Sequence, residues 1–252
     1  MRFKLLFSFF LVSFCVESSF AAFRSQSING ATGLITTPTA RTGWETSQFG
    51  LDVGTHLITG GNSSITPKGT VSMYRRFEMG GTFDAQSGNN ENDMLFHSKL
   101  RFYPWSGGGN SALALGGNIQ MLSPGSDGGQ LYLASTYGGQ FFGMWAETTL
   151  VLGKSFGSRV GSGDIDFSMG FELDLFPSVF KGYIHWLNDF ANYSYSLDAR
   201  GAGTGRGIYN TGFRVDILKA KKNMSLRLDI LLLDAMDSNR SFGTGLSFGT
   251  TF

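Results

Sequence analysis

The sequence predicts an all-β fold, a transmembrane antiparallel up-and-down β-barrel of about 12 strands that follows a cleaved signal peptide. Three observations lead to this prediction. Long segments alternate between apolar and polar residues, the content of charged residues is low, and the N-terminus has the character of an export signal. Together they divide the chain into a signal peptide (1–22), a motif segment (23–43) and a barrel (44–252).

The alternation is clearest in residues 163–175, a segment longer than the usual strand of about 5–6 residues. Successive side chains of a β-strand point to opposite faces, so odd and even positions form two different surfaces. The odd positions are apolar: Ile165, Phe167, Met169, Phe171, Leu173 and Leu175. The even positions include the carboxylates Asp164, Asp166, Glu172 and Asp174. This length suits a tilted strand that crosses a bilayer, with lipid on one side and an enclosed interior on the other.

The composition also favours a barrel wall. Only 15% of the residues are charged, against about 25% in a typical soluble domain, while glycine (36) and phenylalanine (24) are abundant. Such a composition fits a wall that faces lipid outside and water inside. The net charge of +1 gives no support for nucleic-acid binding.

The first 22 residues are typical of a secretory signal peptide. Arg2 and Lys4 form a basic start, and residues 5–16 are an apolar run that is too short for a membrane-spanning helix. Small residues precede a predicted cleavage site after Ala21 or Ala22. We therefore expect export to the outer membrane of a Gram-negative-type envelope.

The single cysteine, Cys15, lies inside this apolar run. A lipoprotein site is the alternative interpretation, but Phe14 is too bulky for the position before a lipidated cysteine. Cleavage therefore removes the only thiol, and neither disulfides nor thiol chemistry are expected in the mature chain.

Residues 23–43 do not alternate. They contain a motif formed by Gly30, Thr32, Gly33, Leu34, Ile35, Thr37, Pro38, Thr39 and Ala40. This motif resembles the opening motif of the YjbH-like proteins, outer-membrane β-barrels linked to exopolysaccharide production. The resemblance implies a role in exopolysaccharide secretion or envelope assembly, with polysaccharide or other export components as partners. Members of that family can carry additional domains, whereas this chain has room for one barrel. A connector that anchors the first strand is the simpler alternative, and whether the segment plugs the pore is left open.

Alternation over residues 44–252 predicts twelve strands, an even number that puts both ends of the barrel on one side of the membrane. The predicted strands are 44–57, 69–76, 78–85, 94–103, 112–121, 131–137, 144–153, 163–175, 179–189, 208–217, 224–233 and 242–252. The connections alternate between short turns and longer loops, as expected for periplasmic turns and external loops. The short turns are predicted near Phe77 and at residues 138–139, 176–178 and 220–221.

The last predicted strand carries Leu246, Phe248 and the terminal Phe252 on one face. This pattern resembles the C-terminal aromatic signature by which the barrel-assembly machinery recognises its clients. The alternative is an apolar strand end with no role in recognition. The expected partners are therefore outer-membrane lipid and the assembly machinery.

Charged residues are predicted to face the lumen. They are Arg76, Lys99, Arg101, Asp164, Asp166, Glu172, Asp174, Lys181, Arg214 and Asp216. One hypothesis is a transverse field that orients a polar solute or a sugar chain. The other is pairing across a partly filled lumen, for example of Lys181 with Glu172 or Asp174, because burying a charge without a partner is expensive.

The sequence does not predict an enzyme or a cofactor. A nucleophilic dyad on a strand needs serine and histidine on the same face, and neither His56, His97 nor His185 has a serine two residues away. Three isolated histidines and the pair Asp164 and Asp166 are weak support for a metal site. Two alternatives to the exopolysaccharide role remain: a narrow passive channel for small polar solutes, and a structural or adhesin-like barrel that uses the loop 191–206.

Overall fold

The fold is described from a computed structural model, which covers residues 24–60, 63–87, 92–104, 109–122, 126–157, 165–192, 207–221, 223–236 and 240–252. The predicted signal peptide, Asp164 and most of the loop 191–206 lie outside these residues. No helix in the described ranges is long and apolar enough to cross a membrane.

The described residues form a closed antiparallel barrel of twelve strands, which confirms the predicted fold class. The strands are β1 (Phe49–Thr59), β2 (Ser64–Met73), β3 (Phe77–Gln86), β4 (Asn92–Tyr103), β5 (Ser111–Leu122), β6 (Ser126–Phe141), β7 (Met144–Gly157), β8 (Asp166–Asp174), β9 (Ile184–Ala191), β10 (Ile208–Lys221), β11 (Met224–Leu233) and β12 (Ser241–Thr251). A single helical turn, α1 (Pro177–Phe180), lies between β8 and β9.

Each strand pairs with its neighbours in the chain, and β1 pairs with β12 to close the ring. The closing pair runs in register over ten residue pairs, from Gly50 opposite Thr251 to Thr59 opposite Phe242. We call the end where β1 begins and β12 finishes the turn end, and the opposite end the loop end. Closure leaves no sheet edge, so every strand finds backbone partners on both sides, as a membrane barrel requires.

Strict alternation determines which way the side chains point. In β4, Asp93, Leu95, His97, Lys99 and Arg101 are buried inside the barrel. The residues between them are exposed, among them Met94, Phe96 and Leu100. The same parity gives the barrel an apolar outer surface formed by Leu51, Val53, Leu57, Val71, Leu115, Ile119, Leu131, Leu133, Leu150, Leu152, Phe213, Ile230 and Leu246. A soluble protein would not expose so continuous a surface, whereas lipid would cover it.

A charge placed on this outer surface should destabilise the barrel according to its depth. Leu246 lies at the middle of β12 and is exposed, whereas Phe242 lies next to the loop end of the same strand. We expect Leu246→Arg to lower the free energy of unfolding from lipid vesicles by about 2–4 kcal/mol, and Phe242→Arg by about 0–1 kcal/mol. Urea titration of the vesicle-inserted chain measures both. Equal effects at the two positions would contradict a lipid-facing surface.

Several strand boundaries differ from the prediction: β2 already begins at Ser64, and β10 runs to Lys221, through the turn predicted at 220–221. Two other differences have clear local reasons. β1 begins at Phe49 rather than residue 44, because Trp44 turns inward and its Nε1 donates to Asp52 Oδ1 at 2.8 Å. β9 begins at Ile184 rather than residue 179, because Pro177 starts the helical turn α1. Phe176 and Lys181 flank that turn with positive φ angles of 38° and 53°.

The predicted turn at residues 138–139 was also wrong. β6 runs through both glycines as far as Phe141, and the chain reverses at Phe142 and Gly143, where φ is 48° and 76°. Left-handed φ angles at both central positions are those of the two-residue hairpins that match strand twist. The two glycines at 138–139 therefore lie within a strand and do not mark the turn.

Candidate functional site in the barrel lumen

The lumen contains the chain that precedes β1, which we call the inner segment (residues 24–48). Residues 25–44 are buried without interruption. The segment folds back on itself through the bridges Gln26 to Thr32 and Gly33 to Pro38, and Arg24 N donates to Gly43 O at 3.2 Å. Its two ends thus lie together, and it leads into β1 at the turn end of the barrel.

A carboxylate of the wall holds the tip of the inner segment. Asp189 on β9 accepts hydrogen bonds from Thr36 N at 2.6 Å and Thr37 N at 2.9 Å. Asn210 on β10 donates to the other oxygen of Asp189 at 2.7 Å. A buried carboxylate is stable only when its oxygens are satisfied in this way, so the tip and this part of the wall stabilise each other.

Glu78 on β3 forms a second anchor closer to the turn end. It accepts hydrogen bonds from Thr32 N at 2.8 Å and Gly43 N at 3.2 Å, and the Thr32 hydroxyl also donates to it. Lys99 Nζ lies 3.2 Å from Glu78 Oε1 and donates to Thr32 O at 3.0 Å. Glu78 and Lys99 therefore form a buried ion pair that also grips the backbone of Thr32.

Other cations of the wall bind carbonyl oxygens of the inner segment. Lys68 Nζ donates to Ser27 O at 2.7 Å and Ile28 O at 2.9 Å. Arg214 donates to Gly33 O at 3.2 Å and Leu34 O at 3.3 Å. These contacts recognise main chain rather than side chains, so they depend on the path of the backbone.

The inner segment contributes its own cations near the turn end. Arg24 makes a two-pronged contact with Glu147 on β7, at 2.5 and 2.8 Å. Arg41 Nη2 donates to the same carboxylate at 3.2 Å. Arg101 of β4 lies 2.8 Å from Glu45 of the inner segment. The charges of wall and inner segment are therefore complementary.

Apolar contacts between the inner segment and the wall are few. Ile28, Leu34 and Ile35 pack against Leu187 and Leu231. Ala40 lies in a second cluster of small wall residues, with Ala112, Ala114, Tyr132, Ala134, Val151 and Ala191. These two apolar clusters thus attach the inner segment together with the polar and charged contacts around the ring.

Two motif glycines allow the inner segment to pass close to its surroundings. Gly30 has a φ of 89°, and a Cβ there would lie 2.5 Å from Thr82 Oγ1 of the wall. A Cβ on Gly33 would overlap the carbonyl of Thr37 across the tip. Every motif residue lies inside the lumen: Gly30, Thr32, Gly33, Leu34, Ile35, Thr37, Pro38, Thr39 and Ala40 are all buried. The motif is thus the part of the chain that fills the barrel.

Most of the charged residues singled out in the sequence line the lumen. Lys99, Arg101, Asp166, Glu172, Asp174, Arg214 and Asp216 point inward. Two predictions were wrong. Arg76 lies in the turn between β2 and β3, half-buried at the rim, and Lys181 is exposed in the turn after α1 because β9 begins later than expected. Asp164 lies outside the described residues.

The inward charges pair locally rather than form a transverse field. Glu172 lies 3.2 Å from His185 and 3.5 Å from Arg214, and Asp174 lies 2.6 Å from His185. Both carboxylates thus contact His185, and Glu172 also contacts Arg214. Arg214 also pairs with Asp229 at 2.8 Å, which continues the network to β11.

Several important lumen residues escaped the sequence analysis. Glu78 and Asp189 stand at the first and last positions of predicted strands, where facing was not assigned. Residues an even number of positions apart on a strand share a face. Asp189 lies four residues after the inward-facing His185, so it could have been assigned to the lumen. Among the residues whose side chains the structure describes, the wall carboxylates of the lumen are Asp52, Glu78, Asp84, Asp93, Glu147, Asp166, Glu172, Asp174, Asp189, Asp216 and Asp229. The wall lysines and arginines of the same set are Lys68, Lys99, Arg101, Arg214 and Arg227.

The lumen leaves little free space. Two cavities beside the inner segment are each about the size of a water molecule, one next to His97 and Asn118 and another next to Glu147 and Glu172. The histidines contact carboxylates: His56 lies 3.3 Å from Asp229, and His97 lies 3.8 Å from Glu78. In the described part of the chain, no three His, Cys, Asp or Glu residues are grouped to hold a metal ion.

One further pair joins the inner segment to the wall at close range. The hydroxyls of Ser25 and of Ser247 on β12 lie 2.8 Å apart and are buried. A similar pair lies within the wall, where Thr136 on β6 and Thr149 on β7 are directly opposite with hydroxyls 2.9 Å apart. These two pairs make matched positions for engineered cross-links.

Comparisons with known proteins agree on the fold. No protein-family model and no curated protein sequence matches the chain. Among solved structures, the chain is similar to the KdgM porin, with 8% identity and a TM-score of 0.54 over 80% of this chain and 99% of that one. It is similar to the NanC porin with 10% identity and a TM-score of 0.54, over 80% of this chain and all of that one. The chain therefore has the fold of porin-like β-barrels.

Proposed function

We propose that this protein is a non-enzymatic outer-membrane barrel that acts as a passive channel for small polar solutes and is closed by its inner segment. The observation that carries the proposal is the filled lumen: residues 25–44 are buried inside a closed barrel whose exterior is apolar. The porin-like fold supports this role, and the apolar outer surface supports a location in the outer membrane.

The way the inner segment is held supports a removable closure rather than a permanent core. Its contacts with Glu78, Asp189 and Glu147 are hydrogen bonds and ion pairs, which water can replace once the lumen is hydrated. Only residues 45–48 connect its buried part to β1. When the inner segment leaves, the ring of roughly 24 Å between backbones contains a water-lined path narrowed by side chains.

The other roles have less support. An exopolysaccharide role rests on the motif resemblance alone, and the motif residues are the ones that fill the lumen. The terminal residues suit recognition by the assembly machinery, since Leu246 and Phe252 are exposed on the outer surface. Recognition of that kind is compatible with a channel and does not distinguish it from a structural barrel.

A reversible cross-link tests whether the inner segment is the closure. The full chain carrying Ser25→Cys and Ser247→Cys, in a Cys15→Ser background, would be inserted into planar lipid bilayers. The hydroxyl spacing of 2.8 Å places the two side chains close to disulfide distance. We expect no openings in the oxidised form and discrete openings after reduction.

The matched control is Thr136→Cys with Thr149→Cys, which cross-links two wall strands without a covalent bond to the inner segment. Ala40 N donates to the Thr136 hydroxyl at 2.9 Å, and this hydrogen bond is lost in both redox forms, so the comparison is between the oxidised and reduced control. Its conductance should be unaffected by oxidation. A barrel that stays silent after reduction would contradict a channel function. Equal conductance in the oxidised and reduced forms of the first variant would show that the inner segment does not close the pore.

A further inference from the structure

The lumen wall carries an excess of negative charge. Among the residues whose side chains the structure describes, eleven carboxylates and five lysines or arginines of the wall point inward. Three of these cations have partners on neighbouring strands: Arg214 with Asp229, Arg227 with Asp216, and Lys99 with Glu78. The described side chains of the wall therefore include six more carboxylates than lysines and arginines, and His185 lies against two of these carboxylates, Glu172 and Asp174.

The inner segment hides part of this excess in the closed state. Glu147 is neutralised by Arg24 and Arg41, both of which belong to the inner segment. Asp189 accepts backbone N–H groups of the tip. When the inner segment leaves, these carboxylates lose their partners and face water, where they are ionised at neutral pH. Opening therefore exposes negative charge as well as a path.

The carboxylates are distributed along the whole path rather than at one end. Asp84, Asp93 and Asp166 lie near the loop end, whereas Glu147 and Asp174 lie near the turn end. A narrow passage lined by one sign of charge inside a low-dielectric wall concentrates counter-ions. Rings of aspartate and glutamate are a recurrent basis of cation selectivity in channels.

We infer that the open pore is cation-selective and that its preferred solutes are small polar molecules with a positive charge, such as amines. This inference rests on the proposed channel function, since it concerns the pore left by the inner segment. It adds the substrate class, which the fold alone does not specify.

The reversal potential of the full chain in a planar bilayer under a potassium chloride gradient tests this inference. We expect potassium to permeate at least about five times better than chloride, in line with the carboxylate excess. Replacing two lumen carboxylates by isosteric amides, Asp84→Asn with Asp93→Asn, should shift the reversal potential towards zero.

The control is Asp127→Asn, which removes a carboxylate that is exposed and shares the outward parity of Leu131 on β6. It should leave the reversal potential unchanged. Openings that are anion-selective or unselective would overturn the inference while leaving the channel function intact. A chain that never conducts would overturn the channel function, and this inference with it.

Discussion

Replacing Glu78 with alanine should raise the population of the open channel by about 10²–10³-fold. Glu78 is fully buried, accepts the N–H groups of Thr32 and Gly43, and pairs with Lys99. Its loss leaves the Lys99 ammonium without its carboxylate in the closed lumen, at a cost of about 3–5 kcal/mol. Because the open lumen is hydrated, Lys99 is solvated there, and the penalty falls on the closed state. Each 1.4 kcal/mol changes the equilibrium tenfold.

A second substitution separates the lost anchor from the stranded charge. In Glu78→Ala with Lys99→Met, no ammonium remains to be buried, so the double variant should open less than Glu78→Ala alone. Single-channel recordings measure the open probability. Comparison of Glu78→Ala, Lys99→Met and the double variant with the unmodified chain completes a double-mutant cycle. An open probability for Glu78→Ala equal to that of the unmodified chain would refute the anchoring role.

Replacing Arg214 with methionine should affect both the wall and the closure. Arg214 pairs with Asp229 through two hydrogen bonds at 2.8 and 3.0 Å and also holds the carbonyls of Gly33 and Leu34. Removing a fully buried cation from such a pair costs about 3–5 kcal/mol because the carboxylate remains. We expect a lower free energy of unfolding in urea together with a higher open probability.

Arg227→Met provides the comparison for Arg214. Arg227 pairs with Asp216 across the β10 and β11 strands, within the wall. Its loss should lower the free energy of unfolding but change the open probability much less. If both variants opened the channel equally, the effect of Arg214 would come from the wall and not from its hold on the inner segment.

The barrel could be predicted because its signal is local. In β4 the inward and outward residues alternate as far as Phe102, and the predicted bounds of β11 match the observed ones. Whether a side chain faces inward or outward follows from its place in the alternation. The facing of residues in one strand can therefore be predicted without knowledge of the other strands. Where a proline or glycine changed the local path, as at Pro177 and Gly143, the bounds shifted.

The position of the inner segment could not be predicted because its contacts are distant in the chain. Thr36 and Asp189 are 153 residues apart, and Arg24 and Glu147 are 123 apart. The segment is also rich in serine and threonine, which are usually exposed. They are buried here because the lumen wall is itself polar and supplies partners, an environment that hydrophobicity patterns do not reveal.

The hairpin form of the inner segment has a consequence for assembly. Since Arg24 and Gly43 meet at the turn end, no free chain end has to be threaded through the ring formed by β1 and β12. The folded hairpin can enter a finished cylinder tip first, with Thr36 leading, and residues 45–48 then act as its hinge. Insertion of the barrel into a bilayer and occupation of its centre are therefore separable events, which can occur in either order.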